Sequence, residues 1–163
     1  MAYNIFLSHS VVDQRWVQWI ADNAHGIDIN VYMYEHDIQP GTSIAVKVQS
    51  AIENCQALVV LLTPNSEYSP YVQQEIGFAQ AKGKPIIPLV QPGVSPRCMA
   101  MLDGVEYISF NPENPEAALS HLLTYLGKLK NARDTDQAIL MGLGTLFILA
   151  LLGKRDQGKR FLS

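Results

Sequence analysis

The chain has 163 residues, of which 48% are apolar and 17% are charged, and its formal net charge is −3. This length suits one ordinary domain with its own hydrophobic core, and the composition excludes a disordered or collagen-like chain. The twelve Lys and Arg residues are scattered along the sequence, so we do not expect nucleic acid as a partner.

The cysteines and the N-terminal residues bear on the compartment. Cys55 and Cys98 show no CxxC spacing, which is typical of a protein in a reducing compartment rather than of a disulfide framework. The first residues lack the basic stretch and following apolar segment of a secretory signal. We therefore expect a cytoplasmic protein.

The first half of the chain predicts two pairs of a strand and a helix. The apolar run Tyr3–Ser8 predicts a strand, and apolar residues at helical spacing follow Asp13, which is expected to cap that helix. Residues 29–34 predict a second strand, and the turn residues Pro40 and Gly41 follow it. Helical spacing then returns at Ile44, Val48, Ala51, Ile52 and Cys55.

The second half continues the same alternation. Residues 57–63 are almost all apolar, as is typical of a strand buried on both faces. Ser69 and Pro70 are suited to begin a third helix, which runs to about Lys82. The remaining predicted elements are strands at 85–90 and 105–110, a segment at 91–104 that is mostly loop, and a helix that begins at Asn114 and Pro115.

This strict alternation predicts an α/β fold. Because crossovers between parallel strands are right-handed, it implies a parallel sheet with helices on both faces. Five strands favour a flavodoxin-like strand order. We therefore expect a flavodoxin-like five-stranded parallel sheet, followed by a C-terminal hydrophobic helix.

The C-terminal part has a different composition. We expect a domain at 1–130, a polar linker at 131–137, a hydrophobic helix at 138–152 and a basic tail at 153–163. A helix over 138–152 would span roughly 22 Å, which is short of the ~30 Å hydrocarbon core. We expect this helix either to contact a membrane, which would place the protein at the inner face, or to mediate assembly.

Two polar loops follow strands that should be neighbours. In an open parallel sheet, ligands bind at the carboxyl ends of the strands where the chain order reverses. Ser8, His9 and Ser10 follow the first strand, and residues 63–69 follow the third. Their hydroxyl, amide and imidazole groups suit phosphate and ribose oxygens, although ordinary polar loops have the same composition.

Nothing in the sequence predicts a bound cofactor. The chain has no glycine-rich dinucleotide fingerprint and no phosphate-binding lysine loop. The four histidines have no metal-ligand spacing with each other or with the cysteines, so no metal is expected.

Glu75 is the strongest candidate for chemistry. It lies in helical register with Val72, Ile76 and Ala79, the apolar stripe that should face the sheet. Burial of a carboxylate is costly unless a partner or a ligand compensates. Glu75 is therefore either a site residue or a structural glutamate in an ion pair, and position alone leaves both open.

Four motifs resemble those of the TIR (Toll/interleukin-1 receptor) domain family. The opening Ile5–His9 resembles its first signature box, and His36–Gly41 resembles its BB loop. The segment Tyr71–Ile76 resembles the third-helix motif with the catalytic glutamate, and Lys84–Pro88 resembles the fourth-strand box. The motifs follow the family's order over residues 1–130, with Tyr71 and Val72 where the third-helix motif usually has Trp and Cys.

The resemblance implies a bacterial-type, NAD⁺-cleaving TIR protein with a role in bacterial defence. NAD⁺ would be the substrate rather than a cofactor, no metal would be needed, and TIR domains would self-associate. The resemblance and the loop positions assign three roles. Glu75 would be catalytic, and the BB-loop residues Ile38, Pro40 and Gly41 would mediate assembly. The residues expected to bind the substrate are Ser8, His9, Ser10, Glu35, Asp37, Ser66 and Tyr71.

Two other functions are consistent with the same sequence. One is a non-catalytic TIR signalling scaffold that acts through homotypic BB-loop contacts, with Glu75 in a structural role. The other is an enzyme similar to nucleoside deoxyribosyltransferases, which also use a glutamate on an N-glycosidic bond. The proline and glycine of the BB loop disfavour the second.

Overall fold

A five-stranded parallel sheet forms the centre of the protein. The computed structural model describes residues 2–34 and 40–157, and describes 142–157 by their backbone alone. The strand order is β2-β1-β3-β4-β5, which is the flavodoxin-like order and confirms the predicted fold class. The strands are β1 (Tyr3–Ser8), β2 (Ile29–Tyr32), β3 (Ala57–Leu62), β4 (Ile86–Val90) and β5 (Ile108–Ser109).

Helices alternate with these strands. Between β4 and β5, the segment predicted to be mostly loop contains a short helix and a 3₁₀ turn. Pro96 is in the first turn of this short helix, and the Ser95 side chain accepts a hydrogen bond from the backbone N–H of Cys98. The helices are α1 (Gln14–Ala24), α2 (Ile44–Asn54), α3 (Pro70–Ala81), α4 (Pro96–Met99) and α5 (Pro115–Gln157).

The two edge strands are shorter than predicted. β2 ends at Tyr32 rather than at residue 34, and β5 has two residues where six were expected. An edge strand pairs on one side only, so fewer hydrogen bonds hold its ends in register. In the described part of the chain, β5 pairs with Leu89 and Val90 of β4.

The core is built on β3. All six of its residues are buried, because β1 and β4 flank it and helices cover the sheet. Val72 and Ile76 of α3 are fully buried in the same cluster as Leu58, Val60 and Leu62. This packing fixes the rotation of α3 about its own axis, and so the direction of its other side chains.

The predicted polar linker is helical. Residues 131–137 lie inside α5, because their polar side chains form pairs along the helix instead of ending it. Lys130 lies 3.8 Å from Asp134, and Thr135 donates to the backbone oxygen of Asn131 (2.8 Å). The chain divides into compact units at residues 1–124 and from 125 onward, while the predicted domain boundary near 131 stays a prediction.

The apolar segment at 138–152 continues α5. Ile139, Leu140 and Met141 are exposed, and the side chains beyond them lie outside the described residues. No helix within the described part of the chain has both the length and the apolar character needed to cross a membrane. Association of this segment with a membrane or with another copy stays a prediction.

Cys55 lies in the core directly after α2. Lys84 Nζ donates to the backbone oxygens of Glu53 (2.7 Å) and Cys55 (2.6 Å), which satisfies the end of that helix. Burial raises the pKa of the Cys55 thiol to about 11, and the positive charge of Lys84 opposes this only in part. The thiol is therefore protonated at neutral pH and is a poor nucleophile.

We expect iodoacetamide to label Cys55 at pH 9 roughly 50-fold more slowly in the folded chain than in urea, because about 1% of a thiol with this pKa is thiolate there. Mass spectrometry of the labelled peptides measures both rates. Equal rates in the two states would contradict the protected position of this thiol.

Candidate functional site

Glu75 and Ser8 form a buried hydrogen-bonded pair. Glu75 is on α3 and only 9% exposed, as its register with the apolar stripe predicts. Ser8 is the last residue of β1 and is 1% exposed. Its hydroxyl donates to Glu75 Oε2, which stabilises the charged form of the carboxylate in a poorly solvated position. Ser8 therefore contacts the candidate catalytic group itself.

An apolar cavity of about 110 Å³ lies between α2 and α3. Glu75 is at its wall, and this volume is comparable to that of one aromatic ring. Ile44 and Val48, two of the residues whose helical spacing predicted α2, line this cavity. The lining residues are Ile44, Ala45, Val48, Gln49 and Ile52 of α2, and Tyr71, Gln74, Glu75 and Phe78 of α3.

A second buried carboxylate, that of Asp13, lies in the loop after β1. Asp13 is 4% exposed, and its Oδ2 accepts a hydrogen bond from Thr63 Oγ1 (2.6 Å). Its Oδ1 accepts from Asn65 Nδ2 (3.0 Å). Asp13 occupies the N-cap position of α1, but its side chain forms no capping hydrogen bond there. The prediction that the Asp13 side chain caps α1 is therefore wrong, and this side chain instead joins the loop after β1 to the loop after β3.

Two of the predicted substrate-binding serines are engaged in the loops themselves. Ser10 caps the 3₁₀ turn Val11–Asp13 and accepts from the backbone N–H of Val12 (3.3 Å). Ser66 is fully buried, donates to the oxygen of Leu61 and accepts from the N–H of Thr63 (both 3.1 Å). These bonds shape the loops, and a substrate role for either serine stays a prediction.

His9 and Tyr71 have different surroundings. The oxygen of Leu7 lies 3.1 Å from His9 Nδ1, and because a carbonyl only accepts, Nδ1 carries the proton. Nε2 of the same ring is buried. Tyr71 is 63% exposed and lines the cavity one helical turn before Glu75. Its ring can therefore meet a ligand directly, whereas that of His9 is held by the backbone.

Most of the predicted BB loop lies outside the described residues. Glu35, Asp37 and Ile38 fall in the part that the structure does not describe, so their predicted roles stay predictions. Pro40 and Gly41 are exposed directly before α2. Gly41 has φ = 85°, a conformation that residues with a side chain rarely adopt.

The geometry supports one kind of chemistry. A carboxylate held by a hydrogen bond at the wall of an apolar cavity stabilises an adjacent positive charge more strongly than it would in water. Within the described residues, no group of three or more His, Cys, Asp or Glu side chains is placed to hold a metal ion. The arrangement suits a reaction that develops a cation next to a flat, apolar ring.

Sequence reasoning predicted the buried position of Glu75 but not the hydrogen-bond partners of Ser8 and Asp13. The hydroxyl of Ser8 was assigned to substrate, and Asp13 to helix capping, because each local pattern fits those roles. The hydrogen bonds of Ser8 to Glu75 and of Asp13 to Thr63 join residues 67 and 50 positions apart in the sequence. No local signal marks such pairs, although the predicted strand order brings the two loops to the same edge of the sheet.

The comparisons with known sequences agree with the fold. A family model described as TIR domain matches residues 5–123. Toll-like receptor 6 of Dasypus novemcinctus is 29% identical over 80 residues, which cover 48% of this chain and 10% of that receptor. The match therefore spans about a tenth of the receptor's length.

Solved structures show the same architecture. The TIR domain of the Toll-related receptor TRR-2 from Hydra magnipapillata has a TM-score of 0.65 at 17% identity, and the match covers 78% of this chain and 99% of that one. The CMP N-glycosidase BcmB of Clostridium botulinum has a TM-score of 0.55 at 23% identity, with 75% and 98% covered. At these identities the likeness concerns the fold. Together with the family match over residues 5–123, it shows that the chain belongs to the TIR domain family.

Proposed function

We propose that this TIR domain cleaves the bond between nicotinamide and ribose in NAD⁺. The observation that carries the proposal is the buried carboxylate of Glu75, held by Ser8 at the wall of an apolar cavity. The products would be nicotinamide and ADP-ribose, or a cyclic or linked form of ADP-ribose. The same proposal includes that the protein is of the bacterial type, acts in defence and is located in the cytoplasm.

The reaction needs only one carboxylate. The bond between ribose C1 and the pyridinium nitrogen breaks, and its electron pair returns to the ring, so nicotinamide leaves as a neutral molecule. No general acid is required, in contrast to ordinary glycosides, which use two carboxylic groups. The ribose becomes a cation of the oxocarbenium type, and water that adds to C1 and releases a proton gives ADP-ribose.

Glu75 would stabilise that cation and accept hydrogen bonds from the ribose hydroxyls. The hydrogen bond from Ser8 would hold the carboxylate in one orientation, which lowers the reorganisation needed in the transition state. The nicotinamide ring would enter the cavity between α2 and α3, with Tyr71 at its side. Ser8 would thus orient the carboxylate, and its predicted contact with the substrate stays a prediction.

We expect Glu75→Gln to lower the rate of NAD⁺ cleavage by at least roughly 100-fold, because the amide keeps the volume but lacks the charge that the cation needs. Nicotinamide release, followed by chromatography, measures the rate, and a melting curve shows whether the variant is folded. We expect an unchanged melting temperature.

Glu53→Gln is the matched control. Glu53 is an exposed carboxylate on α2 that pairs with Lys82, and a surface pair contributes at most about 1 kcal/mol. This variant should cleave NAD⁺ at the wild-type rate. Wild-type turnover by folded Glu75→Gln would end the assignment, and a rate that falls only with unfolding would indicate a structural ion-pair role.

The alternative is a non-catalytic signalling scaffold that acts through homotypic BB-loop contacts. The sequence match to a Toll-like receptor favours it. The same assay separates the two functions, because a scaffold releases no nicotinamide at any protein concentration.

We also propose that the domain self-associates through the BB loop and that its activity depends on this. Pro40 is exposed directly before α2, where a rigid ring offers a compact docking surface at low entropic cost. Ile44, three residues after Gly41, is half exposed and lines the cavity. Contact between two loops would therefore change the solvent access of the site.

Specific activity should rise steeply with protein concentration, and Pro40→Asp should remove this rise, because it places a charge in the contact. This change is cleaner than one at Gly41, where φ = 85° would strain any other residue. Pro92→Asp is the control, since Pro92 lies in another exposed Pro-Gly turn, with Gly93 at φ = 92°. Constant specific activity from dilute to concentrated enzyme would contradict the proposal.

A further inference from the structure

The buried carboxylate of Asp13 has no part in the proposed reaction. Burial of a charge is costly unless hydrogen bonds compensate, and Asp13 has two, to Thr63 (2.6 Å) and to Asn65 (3.0 Å). Hydrogen bonds to an ionised acceptor are stronger than those between neutral groups. The two oxygens of one rigid group therefore hold both donors in a fixed arrangement.

These contacts join the two chain segments that carry the Ser8–Glu75 pair. The first segment runs from Ser8, at the end of β1, to Asp13 at the end of the 3₁₀ turn. The second runs from Thr63, which caps the turn Pro64–Tyr68, into α3 and on to Glu75. One end of this arrangement is closed by Ser8 and Glu75, and the other by Asp13 and Thr63.

Two short segments that are joined by hydrogen bonds at both ends restrict each other's movement. If the Asp13 end opens, the loop after β1 loses its attachment to the loop after β3. The backbone of Ser8 is then held by its place in the sheet, where it pairs with Val60 of β3, but the direction of its hydroxyl relative to Glu75 becomes less defined. A misplacement of about 1 Å in such a constellation can lower a rate by roughly 100-fold.

We propose that Asp13 is a positioning residue, which acts through Thr63 and Asn65 to hold Ser8 against the Glu75 carboxylate. It touches neither the substrate nor the reacting atoms. This inference rests on the proposed cleavage of NAD⁺. It adds that the turnover rate depends on Asp13, a buried residue that does not line the cavity.

The test uses the full-length chain with Asp13→Asn, Asn65→Ala and Ser8→Ala, singly and with Asp13→Asn and Ser8→Ala combined. Asp13→Asn keeps the volume and removes the charge, and we expect kcat to fall roughly 10- to 100-fold with KM within about threefold of the wild type. Asn65 is exposed, so Asn65→Ala should leave the melting temperature within about 2 °C while lowering kcat roughly threefold or more.

The combined variant distinguishes positioning from general stability. Because Asp13 is proposed to act by orienting Ser8, the variant with both Ser8→Ala and Asp13→Asn should have about the same kcat as the slower single variant. The control is Asn23→Ala, which removes a comparable exposed amide hydrogen bond, to Trp19 on α1, and should leave kcat unchanged.

Each outcome has a separate meaning. Rate losses that multiply in the combined variant, or that follow the loss of folded protein, would overturn the positioning role. If Asp13→Asn does not fold, Asn65→Ala decides, and a wild-type kcat in that variant overturns the inference. A wild-type chain that releases no nicotinamide overturns the proposed function and this inference with it, whereas an active chain with a fully active Asn65→Ala overturns the inference alone.

Discussion

The hydrogen bond between Ser8 and Glu75 joins the end of β1 to the middle of α3, and the candidate site depends on it. A carboxylate on the inner face of a helix loses most of its hydration, and such a group is stable only with a donor beside it. The packing of α3 on β3 fixes the position of Glu75, and β1 fixes that of Ser8. The sheet and one helix thus set the backbone positions of the site, and the proposed role of the loops is to orient the side chains on them.

The strand order explains why these residues meet. The chain order reverses between β1 and β3, so the loops after these two neighbouring strands lie at the same edge of the sheet. Ser8 ends β1 and Asp13 lies in the loop after it, while Thr63 and Asn65 come from the loop after β3. The fold provides this convergence for any sequence that adopts it. The chemistry comes from the carboxylates and hydroxyls that this sequence places there.

Sequence patterns predict what local periodicity controls. The apolar run of β3 and the buried register of Glu75 follow from spacing alone, and both are present. The contacts of Ser8 and Asp13 span too many residues to leave a local signal, and an aspartate before a helix fits capping equally well. The polar residues 131–137 led to a linker prediction, although side-chain pairs along a helix satisfy the same residues.

In the proposed reaction, the walls of the cavity contribute beside the carboxylate. The nicotinamide ring carries a positive charge in NAD⁺ and is neutral after the bond breaks. Ile44, Val48 and Phe78 give this cavity an apolar lining, which solvates a neutral ring better than a charged one. As the charge moves from the ring to the ribose, the ring becomes better suited to its surroundings while Glu75 gains a cation to stabilise. Both changes favour the transition state over the bound substrate, which is the difference that determines the rate of a catalysed step.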